Sequence, residues 1–353
     1  MNILYNLRQN LDIVIPALLL MLMSNIVLRS IAPFLFPQYY IYIASGIFFF
    51  LLFSHFDFDI VRLFAPHLYV FCIILLILPI FIGEVTRGAV RWIPLGPITL
   101  QPTELVRPFL ILFFAQYLVG KKITWLLGLK ASVLIALPLF LILIQPSLGV
   151  MILTAAAIGG IILSLEYNKK ILLGILGLGF VIVPLTWFLL ASYQKDRILA
   201  FIDPSLDPSG IGYNSIQSMI AVGSGMLTGR GLGGGVQTQL LFLPERHTDF
   251  IFASISEELG FVGAMLLLVA LFFLLFRITT VLENAKNPVA RAFATGAFLT
   301  LTLQVVVHVG MNMSLFPITG LPLPLVSAGG SSLLATMILL GMLTQARDVS
   351  SLA

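Results

Sequence analysis

Long apolar stretches alternate with short polar segments along nearly the whole chain of 353 residues. A helix needs about 20 mainly apolar residues to cross a bilayer, because each residue advances the helix by about 1.5 Å. Ten stretches approach that length, which predicts an all-α polytopic membrane protein that forms a single domain over residues 1–353. The predicted spans cover residues 13–31, 38–55, 67–83, 104–119, 130–145, 148–165, 170–190, 250–276, 290–313 and 326–343.

The composition agrees with a surface that faces lipid. Hydrophobic residues make up 59% of the chain and charged residues 10%, and the mean hydropathy is +1.08. A soluble domain carries about a quarter charged residues. The net charge of +4 is too small to indicate binding to nucleic acid. Cys72 is the sole cysteine of the sequence, so an intramolecular disulfide is excluded.

The basic residues between the spans predict the orientation. With both termini in the cytoplasm, the short loops of the outer side hold only Arg29, Arg87 and Arg91. Cytoplasmic loops normally carry the excess of Lys and Arg, so the sequence predicts this orientation. Two long polar segments, 84–103 and 191–249, are then extracytoplasmic, and we expect the second to form an irregular, partly folded cover. The cytoplasmic set is Arg8, Arg62, Lys121, Lys122, Lys130, Lys169, Lys170, Arg277, Lys286, Arg291 and Arg347.

The polar run at residues 245–249 ends with Asp249, directly before a long apolar span. A carboxylate at the edge of a membrane is partly desolvated, which raises its pKa, while water still exchanges protons with it. A general base or a ligand of a divalent cation needs such a position. The alternative is structural, since Thr248 and Asp249 are residue types that cap the N-terminus of a following helix.

Polar residues also occur within the predicted spans. Glu104 and Arg107 are three residues apart at the start of the fourth span, so they share a helix face and can pair. Such a pair either braces the bundle or belongs to a substrate cavity. Residues 317–332 interrupt an apolar pattern, and irregular backbone at membrane depth must be buried in protein or line a wet cavity. Residues 229–234 match G-x-G-x-x-G without a strand–helix frame, so we interpret these glycines as turn-forming.

Three sets of motifs follow one another over residues 84–347. They are Arg87-Gly-Ala-Val-Arg-Trp92 with Gln101-Pro-Thr-Glu104; Pro244-Glu245 with His247-Thr-Asp-Phe250 and Glu257-Glu-Leu-Gly260; and Gln304, Asn312, Pro317, Thr319-Gly320 and Ser327-Ala-Gly-Gly-Ser331. Together these motifs resemble the SEDS family (shape, elongation, division and sporulation), in particular its elongation branch. Arg107 stands where that family usually has lysine, and Ser147 where the elongation branch commonly has aspartate.

The resemblance implies a peptidoglycan glycosyltransferase that polymerises lipid II on the outer face of the bacterial cytoplasmic membrane during cell elongation and rod-shape maintenance. The 4-hydroxyl of one GlcNAc attacks the anomeric carbon of a lipid-linked MurNAc, and undecaprenyl pyrophosphate leaves. Asp249 is then the candidate catalytic base, and cations must neutralise the departing pyrophosphate. The candidate substrate-binding residues are Arg87, Arg91, Glu104, Arg107, Arg197, Arg230, Arg246 and Ser327.

The resemblance also implies partners, namely a class B penicillin-binding protein that crosslinks the new strands and other membrane proteins of the elongation complex. A divalent cation such as Mg²⁺ or Mn²⁺ is compatible with this chemistry, although the sequence displays no ligand set for it. The alternative function is a lipid II flippase. A flippase would centre its polar groups on Glu104, Arg107 and the 317–332 segment within the membrane, whereas a polymerase concentrates them at the outer face.

Overall fold

The computed structural model describes residues 10–82, 84–86, 89–96, 98–121, 124–165, 188, 192–203 and 210–347. Most of these residues are helical. The helices are α1 (Leu11–Ile31), α2 (Gln38–His55), α3 (Phe58–Leu63), α4 (Ala65–Ile82), α5 (Pro102–Leu105), α6 (Arg107–Leu118), α7 (Trp125–Ile144), α8 (Leu148–Ser164), α9 (Ser192–Ile202), α10 (Ile211–Ser224), α11 (Val236–Gln239), α12 (Ile251–Glu283), α13 (Pro288–Asn312) and α14 (Gly330–Ala346). The strands are β1 (Glu84–Thr86), β2 (Ala89–Leu95) and β3 (Ile98–Leu100).

The helices follow the apolar pattern closely. Every predicted span coincides with a helix except 170–190, which lies outside the described residues apart from residue 188. Among the helices described, α1, α4, α7, α12 and α13 are long and apolar enough to cross a membrane, and α8 and α14 are shorter apolar helices. The chain is therefore mainly helical and of the multi-pass membrane type.

The first polar segment contradicts the all-α expectation. It forms a three-stranded antiparallel sheet in the order β1-β2-β3. Val85 lies opposite Val90, and Pro94 lies opposite Thr99. Tyr42 of α2 fixes the sheet, because its hydroxyl donates to the Thr99 carbonyl (2.7 Å) and accepts from the Thr99 N–H (2.8 Å). The sheet thereby stands at the end of the bundle where α2 begins.

The second polar segment is more ordered than expected. Helices α9, α10 and α11 occupy much of it, which agrees with a partly folded cover, whereas the expectation of irregular backbone is wrong for these helical residues. Only the glycine-rich stretch of residues 225–235 is irregular among the residues described from α10 to α11. Positive φ angles at Gly229, Gly231 and Gly233 (81°, 84° and 77°) agree with their interpretation as turn-forming glycines.

The glycine-rich stretch repairs a break in α12. At Gly260 the backbone leaves the helical region (φ 66°, ψ −165°). The N–H groups of residues 261 and 262, which would bond residues 257 and 258 in a continuous helix, donate instead to the carbonyls of residues 226 and 227 (2.8 and 3.1 Å). The carbonyls of residues 257 and 258 accept from the N–H groups of residues 230 and 231 (2.9 and 3.0 Å). Both sides of the break are thus hydrogen-bonded, as a membrane environment demands.

The segment between α13 and α14 is irregular, and α14 begins at Gly330, later than the predicted span. Two fully buried side chains of α13 bind its backbone. The Gln304 amide donates to the Pro322 carbonyl (2.7 Å), and His308 Nδ1 lies 2.7 Å from the Leu321 carbonyl oxygen. This agrees with the expectation that irregular backbone here is buried or lines a cavity.

Candidate functional site

A cavity of about 580 Å³ lies where the sheet, α9 and the segment between α13 and α14 meet. Its wall includes Asp249, Glu104, Arg91 and Arg197, which come from four separate parts of the sequence. The structure thus places four of the predicted site residues around one space. The backbone of residues 317–322 forms a further part of the wall.

Asp249 is held in place through its backbone. The side-chain amide of Asn312 donates to the Asp249 carbonyl (3.0 Å), and its oxygen accepts from the N–H of Ala253 (3.0 Å). Asn312 is fully buried on α13, in register with Gln304 and His308 at intervals of four residues. One face of α13 therefore supports both the irregular wall segment and the residue that precedes α12.

Ser327 supports the same site from behind the cavity wall. Its hydroxyl donates to the Thr248 carbonyl (2.7 Å) and accepts from the Leu323 N–H (2.7 Å). The N–H of Ala328 donates to the His247 carbonyl (2.9 Å). Because Ser327 is almost completely buried and uses its hydroxyl in this way, its position fits a structural role better than direct substrate binding.

The capping alternative for Thr248 and Asp249 is wrong. Helix α12 begins at Ile251, and its N-cap residue is Phe250. The Thr248 hydroxyl turns back to Glu245, with distances of 3.4 Å to the carbonyl and 3.2 Å to Oε2. Asp249 instead contributes to the cavity wall.

Arg197 lies close to Asp249 across Gly320. A Cβ atom built on Gly320 would stand 3.5 Å from Oδ2 of Asp249 and 3.8 Å from Nη1 of Arg197. Nη1 of Arg197 donates to the Ile318 carbonyl (3.1 Å), which fixes the guanidinium at the wall. In this arrangement the carboxylate can accept a proton on one side of a bound molecule. The arginine can bind an anion on the other side.

Glu104 and Arg107 form the predicted ion pair. Their Oε2 and Nη2 atoms are 2.7 Å apart, and both side chains are about 2–3% exposed. The helix is interrupted at Val106 between α5 and α6, but Val106 keeps helical angles, so the two residues share a face. Glu104 lines the cavity, whereas Arg107 stands behind it. The ion pair therefore stands at the cavity wall, with its Glu104 end toward the cavity and its Arg107 end toward the bundle.

Arg230 and Arg246 do not line this cavity. Arg230 is exposed on the glycine-rich stretch, where its backbone N–H donates to the Glu257 carbonyl. Arg246 donates from Nε to the Ile31 carbonyl at the end of α1 (3.0 Å). Burial lowers the pKa of the Arg246 guanidinium, and the neighbouring Glu245 raises it. Arg87 lies outside the described residues.

Several cavity residues were not among the predicted site residues. Gln194 and Asn214 come from α9 and α10, Glu245 precedes Asp249 by four residues, and Ser147 receives a hydrogen bond from the Gln101 amide (3.3 Å). The signal for Ser147 is the polar break between two apolar spans. Gln194 and Asn214 carry no such signal, because polar residues are ordinary in an external segment.

Metal binding finds limited support in the geometry. In the part of the chain that the structure describes, no three His, Cys, Asp or Glu side chains come close enough to hold an ion.

The comparison with a family model covers almost the whole chain. Residues 7–351 match the model of the FtsW, RodA and SpoVE proteins, which is described as "Cell cycle protein". Among curated relatives, the peptidoglycan glycosyltransferase MrdB of Escherichia coli K12 is 42% identical over 279 residues, 77% of this chain and 75% of MrdB. The probable peptidoglycan glycosyltransferase FtsW of Allochromatium vinosum is 38% identical over 293 residues, 79% of this chain and 72% of the relative.

Solved structures of similar proteins match this chain in fold. A chain of a peptidoglycan synthase complex, described as coordinating polymerization and crosslinking, matches with a TM-score of 0.79 and 28% identity, over 94% of this chain and 96% of that one. The rod shape determining protein RodA of Thermus thermophilus matches with a TM-score of 0.70 and 26% identity, over 94% of both chains. The sequence, the family model and the fold agree, and this chain belongs to the FtsW/RodA/SpoVE family, the SEDS proteins.

Proposed function

We propose that this protein is a peptidoglycan glycosyltransferase that polymerises lipid II during cell elongation. The observation that carries the proposal is the polar cavity at one end of an apolar bundle, where Asp249 lies close to Arg197 across Gly320. The names of the curated relatives MrdB and FtsW support the class of reaction. The 42% identity to MrdB favours the elongation branch.

Asp249 is the proposed general base. It removes the proton of the acceptor 4-hydroxyl while that oxygen bonds to the anomeric carbon of the lipid-linked sugar and the bond to the pyrophosphate oxygen breaks. Arg197 and Arg91 supply positive charge at the same wall, which stabilises the leaving pyrophosphate. Glu104, fixed by Arg107, provides an acceptor for sugar hydroxyl or amide groups.

We further propose that the chain is one domain over residues 1–353 with ten spans and both termini in the cytoplasm of a bacterial cell. The cavity then opens at the outer face of the cytoplasmic membrane. The similar chain from a complex that coordinates polymerization with crosslinking supports a class B penicillin-binding protein as partner, together with other membrane proteins of the elongation complex.

The experiment is to purify the full chain with its partner in detergent micelles and supply labelled lipid II. A polymerase should make long glycan strands that stay attached to undecaprenyl pyrophosphate and are cut by a muramidase. Micelles offer no two compartments, so a flippase would produce nothing measurable there. Absence of polymer in micelles, combined with movement of lipid II across vesicles made with the same protein, would replace the proposal with the flippase alternative.

A further inference from the structure

The irregular segment between α13 and α14 presents one glycine to the polar cavity. Gly320 lines the cavity and is exposed, whereas Ile318 and Leu321 on either side of it are buried. Its φ angle of 69° lies in the left-handed region, which glycine adopts without strain. The wall therefore offers bare backbone, with no side chain, at this point.

The side chains that flank Gly320 fix its position. Ile318 packs in a small buried cluster that includes Phe250, the residue before α12. Leu321 lies against Gly149 at the start of α8, where an added Cβ would stand 2.8 Å from the Leu321 Cγ atom. A shift of Gly320 would therefore disturb both α8 and the start of α12.

Two hydrogen bonds from α13 hold the same segment from behind. The Leu321 carbonyl oxygen lies 2.7 Å from His308 Nδ1, which must carry the hydrogen because a carbonyl only accepts. The Pro322 carbonyl accepts from the Gln304 amide at 2.7 Å. Both side chains are fully buried, and neither lines the cavity. They can therefore influence a reaction there only through the backbone that they hold.

The open space beside Gly320 touches both groups that the proposed reaction uses. A Cβ on Gly320 would stand at van der Waals distance from Asp249 Oδ2 (3.5 Å) and from Arg197 Nη1 (3.8 Å). One carbon atom at this point is thus within reach of the base and the cation together. In the proposed transfer, the acceptor oxygen bonds to the anomeric carbon and gives its proton to Asp249. The bond from that carbon to the pyrophosphate oxygen breaks, and the oxygen keeps the electron pair beside Arg197.

We propose that the anomeric carbon of the donor sugar packs against Cα of Gly320 during transfer, so that the missing side chain at residue 320 makes the reaction possible. Gln304 and His308 are then positioning residues, because they fix the backbone on which the sugar rests. The inference rests on the proposed function and adds the place at which the donor reacts. A methyl group at this point would fill the space without a clash in the protein, so it would displace the sugar and leave the fold intact.

Gly320→Ala tests the proposal directly. The displaced sugar can still bind but no longer aligns with Asp249 and Arg197, so we expect kcat to fall by about 100-fold and KM to change little. Gly120→Ala after α6 is the matched control, because Gly120 has a φ of 75° and open space around it. Both variants should lose the same small amount of thermal stability in detergent, and only Gly320→Ala should lose kcat.

Two substitutions of His308 test the support behind the wall. His308→Leu removes the donor to the Leu321 carbonyl, and we expect kcat to fall by about tenfold with KM little changed. His308→Asn keeps an N–H donor at nearly the position of Nδ1 and should restore kcat. A residue with only a structural role would lower the melting temperature in His308→Leu and leave the kcat of the folded protein unchanged.

The rates are measured with labelled lipid II in detergent micelles. Absence of polymer from the wild-type protein would end the glycosyltransferase proposal, and the role of Gly320 with it. A normal rate for Gly320→Ala, or a raised KM with unchanged kcat, would overturn the role of Gly320 and leave the glycosyltransferase proposal standing. If Gly320→Ala does not fold, the His308 variants decide. Unchanged kcat in His308→Leu would overturn the inference, and loss of kcat with rescue by His308→Asn would support it.

Discussion

At the scale of single residues, the site depends on backbone bonds that hold a few side chains in place. The Asp249 carbonyl is bound by Asn312, and the preceding carbonyl, that of Thr248, is bound by Ser327. These bonds do not involve the Asp249 carboxylate. An amide in place of the carboxylate at residue 249 leaves both of these backbone bonds available.

Asp249→Asn should accordingly leave folding unchanged while it removes the proton acceptor. We expect the rate of lipid II polymerisation to fall by about two orders of magnitude or more, the usual effect of losing a general base. The rate is measured with labelled lipid II, and the fold by thermal unfolding in the same detergent. Asp196→Asn is the control, because Asp196 is exposed on α9 next to Arg197. A normal rate for Asp249→Asn would exclude this residue from the mechanism.

The Glu104–Arg107 pair permits a separate test of stability. Replacing either residue alone by alanine leaves a buried charge without its partner, which costs about 3–5 kcal/mol. The double variant Glu104→Gln with Arg107→Met removes both charges and should recover much of the thermal stability. Equal stability of all three variants, with activity lost, would show that the pair serves the substrate and does not brace the bundle.

The position of a residue in the sequence predicts the location of some side chains of the site but not of others. Asp249 is recognisable because its carboxylate meets the start of a span, and that is where the structure has it. Arg246 is only three residues away, yet its long side chain reaches the Ile31 carbonyl on another helix. A flexible cation goes to whichever acceptor the tertiary fold offers, and the local sequence does not contain that information.

At the scale of elements, the apolar pattern predicts the helices that cross the membrane. The spans are recognisable because each needs many apolar residues in a row. Strands β1 and β3 have three residues each, too few for a periodic signal, and the seven residues of β2 do not alternate strictly between apolar and polar. Helix α10 was missed because its outward face is apolar and its inward face holds serines, the reverse of what an external helix should show.

The break in α12 yields a prediction with a close control. A Cβ at Gly229 would lie 2.1 Å from the Glu258 carbonyl oxygen, which cannot move without opening the break. We expect Gly229→Ala to lower the free energy of unfolding by more than about 4 kcal/mol, or to prevent folding. Gly231 has a similar φ, but a Cβ there would meet no heavy atom within 4 Å. Gly231→Ala should therefore lower the free energy of unfolding by only roughly 1–2 kcal/mol, the cost of a left-handed backbone conformation for a residue other than glycine. Equal effects, measured by thermal unfolding in detergent, would contradict the role of close packing at Gly229.

At the scale of the whole molecule, the proposed function requires one orientation. The polar cavity and helix α9 lie at one end of the bundle. Helix α12 begins next to Asp249 at that end, so the connection from α12 to α13 lies at the opposite end. Lipid II is polymerised outside the membrane only if the cavity end faces outward. The sequence predicts this orientation from the distribution of Lys and Arg, since three such residues occupy the short loops on the cavity side and eleven the other side.

Labelling single cysteines with a membrane-impermeant maleimide tests that orientation. Cys72 is buried in α4 and is the sole cysteine, so Cys72→Ser gives a background without a reactive thiol. On this background, Asp196→Cys near the cavity should react in intact spheroplasts, because the residue is exposed on α9. Glu283→Cys, exposed at the far end of α12, should react only after permeabilisation. The opposite pattern would put the cavity on the cytoplasmic side, where the 4-hydroxyl of a growing external strand could not reach Asp249, and the polymerase proposal would fail with it.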